Sequence, residues 1–275
     1  LPLHKGFDAF RFVVTSTLFS FRGDAMSGHS KWATIKRKKS KEDEKRGKIF
    51  TRLIKEISVA ARTGGGDPEA NPRLRTAVEN AKAANMPKEN IERAIKKGTG
   101  ELPGTNYEEA VYEGYGPGGV ALYIEVLTDN KNRTVSELRH ILTKHGGHMG
   151  EAGCVSWMFT QKGQIFVDAE KYDEETVFLE ASDLGAEDMV TEEGLHVITT
   201  ASEEMTAVRE GLVNRNIEVK DAELVMVPSS TVKLDEKDAQ RVLKLMELIE
   251  DHDDVQRVSS NFDIDEEVLR KLESE

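Results

Sequence analysis

Apolar positions along the chain change their period twice. From about Asp43 to Arg62, Ile49, Phe50, Leu53, Ile54, Ile57, Ala60 and Ala61 recur at helical spacing, with Lys45, Lys48, Arg52, Lys55 and Arg62 off that face. Gly64-Gly65-Gly66 stops this helix and opens a mobile loop. Asn71-Pro72 reads as an N-cap followed by a first-turn proline, and a second helix to about Ala84 turns Leu74, Ala77, Val78 and Ala81 inward. Pro87 starts a third helix, with Ile91, Ala94 and Ile95 inward and Gly98 as its stop. Three short one-faced helices predict a small bundle.

After a Gly- and Thr-rich linker, 98–106, the pattern turns to alternation. Val120, Leu122, Ile124 and Val126 read as a strand. Thr134 to Lys144 reads as a helix, with Val135, Leu138, Ile141 and Leu142 inward. Val155, Trp157 and Phe159 then alternate as a second strand, which makes a βαβ arrangement. From Gly163 to Val227 the order is strand, helix, strand, strand, helix, strand, the ferredoxin-like order. Its helices are expected to bury Val177, Phe178, Ala181 and Leu184, then Met205, Val208, Leu212 and Val213. A last helix, Asp235 to Glu250, turns Ala239, Val242, Leu243, Met246 and Ile249 inward, and Val255 to Phe262 is a strand. One helix and one strand cannot bury themselves, so they must return to the domain begun at Asn106. The chain is therefore predicted as α+β with three domains. These are a helical domain (26–100), a middle α/β domain (106–160 plus 230–275) and an inserted ferredoxin-like domain (161–229).

Charge sharpens this division. Residues 26–100 hold 19 Lys and Arg against 9 Asp and Glu, whereas residues 101–275 hold 16 against 39. A basic block on an acidic remainder reads as one surface for a polyanion and another that repels it. The first 25 residues are Phe-rich and carry no trusted period. Asp8, Asp24 and the short apolar stretch Phe12–Phe21 argue against a targeting peptide, so they read as an extension ahead of a native start at Met26. No run of 18 apolar residues occurs, so no membrane span is expected, and the single cysteine, Cys154, suits a reducing cytoplasm and reads as a small buried hydrophobe.

Candidate chemistry is concentrated in the basic block. Lys31, Lys36, Arg37, Lys38, Lys39, Lys45, Arg46, Lys48, Arg52 and Lys55 can neutralise phosphates and release counterions without reading bases. Trp32, beside Lys31, either stacks on an unpaired base or plugs the bundle core. The Gly64–Asp67 stretch is either a finger for a narrow site or a surface turn. Gly114–Gly119 lacks the Lys and Ser/Thr of a nucleotide loop and precedes a strand, so a turn is the better reading. The segment Thr128–Thr134 joins a strand to a helix. It offers Lys131 and Arg133 as further contacts, or simply caps the helix with Asn132 or Thr134. His145, His148 and Cys154 fit no zinc spacing, and no catalytic triad, carboxylate pair or nucleotide fingerprint stands out. No cofactor, metal or enzymatic activity is expected.

Five stretches resemble one family: Met26-Ser-Gly-His-Ser-Lys-Trp32, Lys45-Arg-Gly-Lys-Ile-Phe50, Asn80-Ala-Lys-Ala-Ala-Asn-Met-Pro87, Tyr112-Glu-Gly-Tyr-Gly-Pro-Gly-Gly119 and Leu127-Thr-Asp-Asn-Lys-Asn-Arg-Thr134. In this order they look like the YebC/PmpR family, which includes bacterial proteins labelled probable transcriptional regulators. It also includes the mitochondrial translational activator of cytochrome c oxidase subunit I. The resemblance supports Met26 as the start. It implies the same three-domain fold and cytoplasmic nucleic-acid work, either as a ribosome-associated factor relieving stalls at proline-rich stretches or as a DNA-binding transcriptional regulator. It also covers Lys131 and Arg133. The sequence departs from the usual family pattern at Lys36–Lys39, which adds charge, and at Gly146-Gly147-His148. The expected partner is ribosomal RNA or promoter DNA. The lack of a helix-turn-helix signature favours backbone or structured-RNA binding.

Overall fold

The computed structural model describes residues 42–192 and 194–274, without the side chains of 42–46, 266, 270, 273 and 274. Lys31, Trp32, Lys36, Arg37, Lys38 and Lys39, the proposed extension 1–25, and the side chains of Lys45 and Arg46 therefore lie outside the described residues.

Three helices open the described chain: α1 (Glu42–Gly64), α2 (Pro72–Ala83) and α3 (Lys88–Gly98). Ile57, Ala60 and Ala61 of α1 meet Leu74, Ala77, Val78 and Ala81 of α2 and Ile91 and Ala94 of α3. Gly98 lets α3 approach α1 closely, because a Cβ there would collide with the Ser58 carbonyl. Asn71 caps α2 as expected, accepting from the Leu74 N–H at 3.1 Å. Its amide also donates to the Ala60 and Gly65 carbonyls at 2.8 and 2.9 Å. Arg75 donates to the Pro68 and Glu69 carbonyls. The loop after Gly64, expected to be mobile, is thus stitched to its own bundle.

The middle unit departs from the predicted βαβ arrangement. Strands β1 (Glu108–Tyr115) and β2 (Ala121–Thr128) form an antiparallel hairpin. After α4 (Lys131–Lys144) comes the two-residue β3 (His148–Met149), and with β9 (Val255–Ser260) from near the end of the chain the sheet order is β3-β1-β2-β9, every pair antiparallel. The hairpin turns through Pro117–Gly119, with Gly118 at φ 70° and Gly119 at φ 77°, conformations that favour glycine. The predicted strand through Val155 and Trp157 is instead a 3-10 turn, Ser156–Met158. The reason is local: the Glu113 carboxylate takes the N–H groups of Gly153, Val155 and Ser156 at 2.7–2.8 Å, so these donors cannot enter a ladder.

The inserted unit keeps the predicted order: β4 (Phe159–Asp168), α5 (Glu174–Asp183), β5 (Asp188–Glu192), β6 (Leu195–Ala201), α6 (Met205–Asn214) and β7 (Val219–Pro228). Its antiparallel sheet runs β5-β6-β4-β7, so the first and third strands are central, the ferredoxin-like arrangement. Ile165, Val167 and Ile198 pack beneath Val177, Ala181, Val208 and Leu212 of the helices. Phe178 and Val213 were expected inside but are exposed, each one residue (about 100° of helix turn) from a buried neighbour.

The chain then returns through β8 (Val232–Lys233), α7 (Glu236–Glu250), β9 (Val255–Ser260), β10 (Phe262–Asp263) and α8 (Glu266–Ser274). As expected, β9 joins the middle sheet beside β2, and α7 packs on it through Ala239, Val242, Leu245, Met246 and Ile249. Leu245 is fully buried where Leu243 was expected; Leu243 is half-buried.

Candidate nucleic-acid interface

Helix α1 has two working faces. One fills the bundle; the other carries Lys48, Arg52 and Lys55 against the turn from Glu250 to Asp254 that follows α7. An acidic helix C-terminus is electrostatically unfavourable, because the backbone already concentrates negative charge there. The cations of α1 relieve it.

Lys55 makes the central contact. It is 5 % exposed. Its ammonium donates to Asp254 Oδ1 at 2.7 Å, the Asp253 carbonyl at 2.9 Å and the Leu127 carbonyl at 3.4 Å. It also lies 5.4 Å from the centre of the Tyr107 ring. The other oxygen of Asp254 accepts from Arg133 at 2.7 Å, Thr134 at 2.7 Å and Thr128 at 3.2 Å. Burial by itself would raise the Asp254 pKa. Hydrogen bonds from Lys55, Arg133 and Thr134 outweigh it and hold the carboxyl far below the usual carboxylate range. A buried ion survives only where such partners replace lost water.

This geometry engages part of the expected phosphate surface within the protein itself. Lys55 is a structural cation that joins the bundle to the middle sheet, with no face left for a ligand. Arg133 is spent on Asp254 and on Asp129 at 2.9 Å. Its pKa is raised chiefly by the Asp254 hydrogen bond. Arg52 is half-buried, its Nε lacks a hydrogen-bond partner, and burial lowers its pKa against the pull of Glu250, Asp251 and Asp253. Lys48 pairs with Asp251 at 3.2 Å at the exposed rim, and Lys131 pairs with Glu108 at 2.7 Å in the open. These last two can exchange partners with a phosphate at little cost. The cap of α4 is Asn130, which accepts from the Arg133 N–H, rather than Asn132 or Thr134.

Two carboxylates that organise the middle unit escaped the sequence reading, Asp254 and Glu113. Burial opposes ionisation of Glu113, but the amides of Gly153, Val155 and Ser156 outweigh it and lower its pKa. The loop it holds carries Cys154, whose thiol is pushed up by burial and by the neighbouring Glu113 charge, away from nucleophilic use. His148 stacks on Tyr115, ring centres 5.4 Å apart. Among the described residues no three His, Cys, Asp or Glu converge as metal ligands, and no helix is long and apolar enough to cross a membrane.

Similarity to known proteins follows the same division. Residues 30–101 match the TACO1/YebC protein N-terminal domain, and residues 107–262 match the TACO1/YebC second and third domain. A probable transcriptional regulatory protein of Halothermothrix orenii is 56% identical over 253 residues, covering 91% of this chain and all of that one. Another so named, from Persephonella marina, is 57% identical over 249 residues, covering 90% and 100%. The crystal structure of a conserved hypothetical protein from Aquifex aeolicus aligns with a TM-score of 0.76 at 53% identity, covering 82% of this chain and 94% of its own. With both family regions matched in order, on a fold they share, the chain belongs to the TACO1/YebC family.

Proposed function

We propose that the protein is a non-enzymatic, cytoplasmic, nucleic-acid-binding regulator of gene expression, acting on the ribosome to ease stalls at proline-rich stretches. The carrying observation is the charge division: a block with 19 cations against 9 carboxylates precedes a remainder with 16 against 39. The acidic turn Glu250–Asp254 engages Lys48, Arg52 and Lys55, so phosphate affinity is assigned chiefly to the run that precedes them. That run comprises Lys31, Lys36, Arg37, Lys38, Lys39, Lys45 and Arg46, with Trp32 available to stack; Lys48 and Lys131 contribute at the rim. The acidic body limits indiscriminate coating of nucleic acid, since phosphate repels it.

The names of the relatives support a second reading, a DNA-binding transcriptional regulator. Sedimentation of a lysate through a sucrose gradient separates the two. Co-migration with ribosomal particles that ends at high salt supports the first; protein that stays at the top while protecting a promoter supports the second. Replacing Lys36–Lys39 with Ala is expected to weaken RNA binding several-fold, and unchanged affinity at low salt would refute the assignment.

A further inference from the structure

A second place on the molecule gathers cations, this time on the acidic body. The last turn of α4 and one face of α7 enclose an open depression of about 450 Å³. Lys144, His145, Arg241 and Lys244 line it with Thr143, Gly146 and Gln240, and no carboxylate does. A single cation would complement the C-terminus of α4; three converge here, with His145 beside them. Gly146 makes room for this, because a Cβ there would strike the Arg241 guanidinium. The carboxylates that touch the set, Asp238 on Arg241 and Glu247 on Lys244, are surface i,i+3 partners that a phosphate displaces cheaply. Exposed Lys237 continues the face of α7.

Round the edge strand β3, on the other face of the middle sheet from α4 and α7, lie aromatic rings. Gly147 backs onto the Tyr115 carbonyl, and the Tyr115 ring meets that of exposed His148. The Tyr115 hydroxyl donates to the Cys154 carbonyl at 3.1 Å, and the Trp157 indole N–H donates to the same oxygen at 3.1 Å. Trp157 is 73 % exposed, yet its edge is pinned and its loop is fastened by Glu113. A fixed indole presented to water is a preorganised stacking platform.

We propose that this edge of the middle sheet is a binding surface for an unpaired RNA strand, separate from the basic helical block. Cations of α4 and α7 hold the backbone, and Trp157, with the Tyr115–His148 pair beside it, stacks bases. Cations for the backbone and aromatic faces for the bases are what a single strand requires, and unpaired segments are where RNA offers its bases. The inference rests on the reading that the chain binds nucleic acid.

The test uses the full chain with Trp32→Phe, which leaves Trp157 as the only indole. A 12-nucleotide oligouridylate is expected to quench its emission, and a 12-base-pair RNA duplex to leave it unchanged. Trp157→Ala should weaken oligouridylate binding about 5-fold or more, with Trp157→Phe recovering most of that. Lys144→Ala/Arg241→Ala/Lys244→Ala should flatten the log–log salt dependence by about 2. Lys144, Trp157, Arg241 and Lys244 are exposed, so unchanged melting temperatures accompany their replacement. Oligouridylate that binds without moving Trp157 emission, and with full affinity in both variants, would overturn the surface while leaving the basic block intact. Equal quenching by the duplex would also overturn it. If Lys36–Lys39→Ala costs nothing while the Trp157 and α4/α7 variants abolish binding, the surface stands and the assignment to the basic block falls.

Discussion

Asp254 and Glu113 are both buried carboxylates of the middle unit, held below their ordinary pKa by opposite means. Asp254 is neutralised by side chains brought from afar: Lys55 is 199 residues away in sequence and Arg133 is 121. Glu113 is satisfied by the backbone of a single loop. The first therefore joins two units, whereas the second shapes a presenting loop within one. Removing a partner from the first strands a buried charge; removing the second leaves three amides of one loop without their acceptor.

The sharpest way to break this contrast is Asp254→Ala. It leaves Lys55 buried without its counterion, a change that costs about 3–5 kcal/mol, read as a lowered urea midpoint. Lys55→Met in the same chain should restore part of the loss, because two apolar groups replace a buried pair tolerably. If Asp254→Ala melts like the parent, the joint is not electrostatic. Glu113→Gln should cost less, about 1–3 kcal/mol, and act locally. Amide exchange at Gly153–Ser156 should quicken, while that in α1 should not. The smallest effect belongs to Asp251→Ala at the exposed rim, with about 1 kcal/mol or less expected and a loss that vanishes at high salt.

Acid separates the two sites in another way. Both carboxyls have folded pKa values below their unfolded ones, so each contributes stability in full above the ordinary carboxylate range. That contribution fades as pH falls through the folded value. Asp254→Asn should remove the larger share of the acid-dependent loss in melting temperature below about pH 4. A parallel shift of both curves would show that other carboxylates dominate.

Much of the fold was legible in the order of residues because its signals are local. Apolar spacing on α1 to α3, the Asn71-Pro72 cap and the glycines of the hairpin turn act within a few residues of themselves. The β-α-β-β-α-β order also declared itself, since short apolar runs mark each strand and helically spaced apolar residues mark each helix of that unit. Strand β1 was missed because Glu108-Glu-Ala-Val-Tyr-Glu-Gly-Tyr115 puts three carboxylates where a half-buried strand usually has fewer, and one of them, Glu113, is turned inward. The misread strand at Val155–Phe159 shows the same thing from the other side: its alternation is real, but a carboxylate 42 residues away claims the Val155 amide.

The candidate site divides in the same manner. Sequence alone determined that cations crowd the first block and carboxylates the remainder, since charge is a property of composition. The order of residues also holds a clue to the joint, an acidic run, Glu250-Asp-His-Asp-Asp254, whose meaning emerges only once the fold brings α1 against it. Only the tertiary structure decided which cations answer it. Lys48, Arg52 and Lys55 looked equivalent to the lysines upstream, and nothing nearby in the chain distinguishes a lysine facing water from one facing Asp254. That distinction depends on which distant surface packs against the helix, because a charge becomes structural or available according to the solvent it loses and the partner that replaces it.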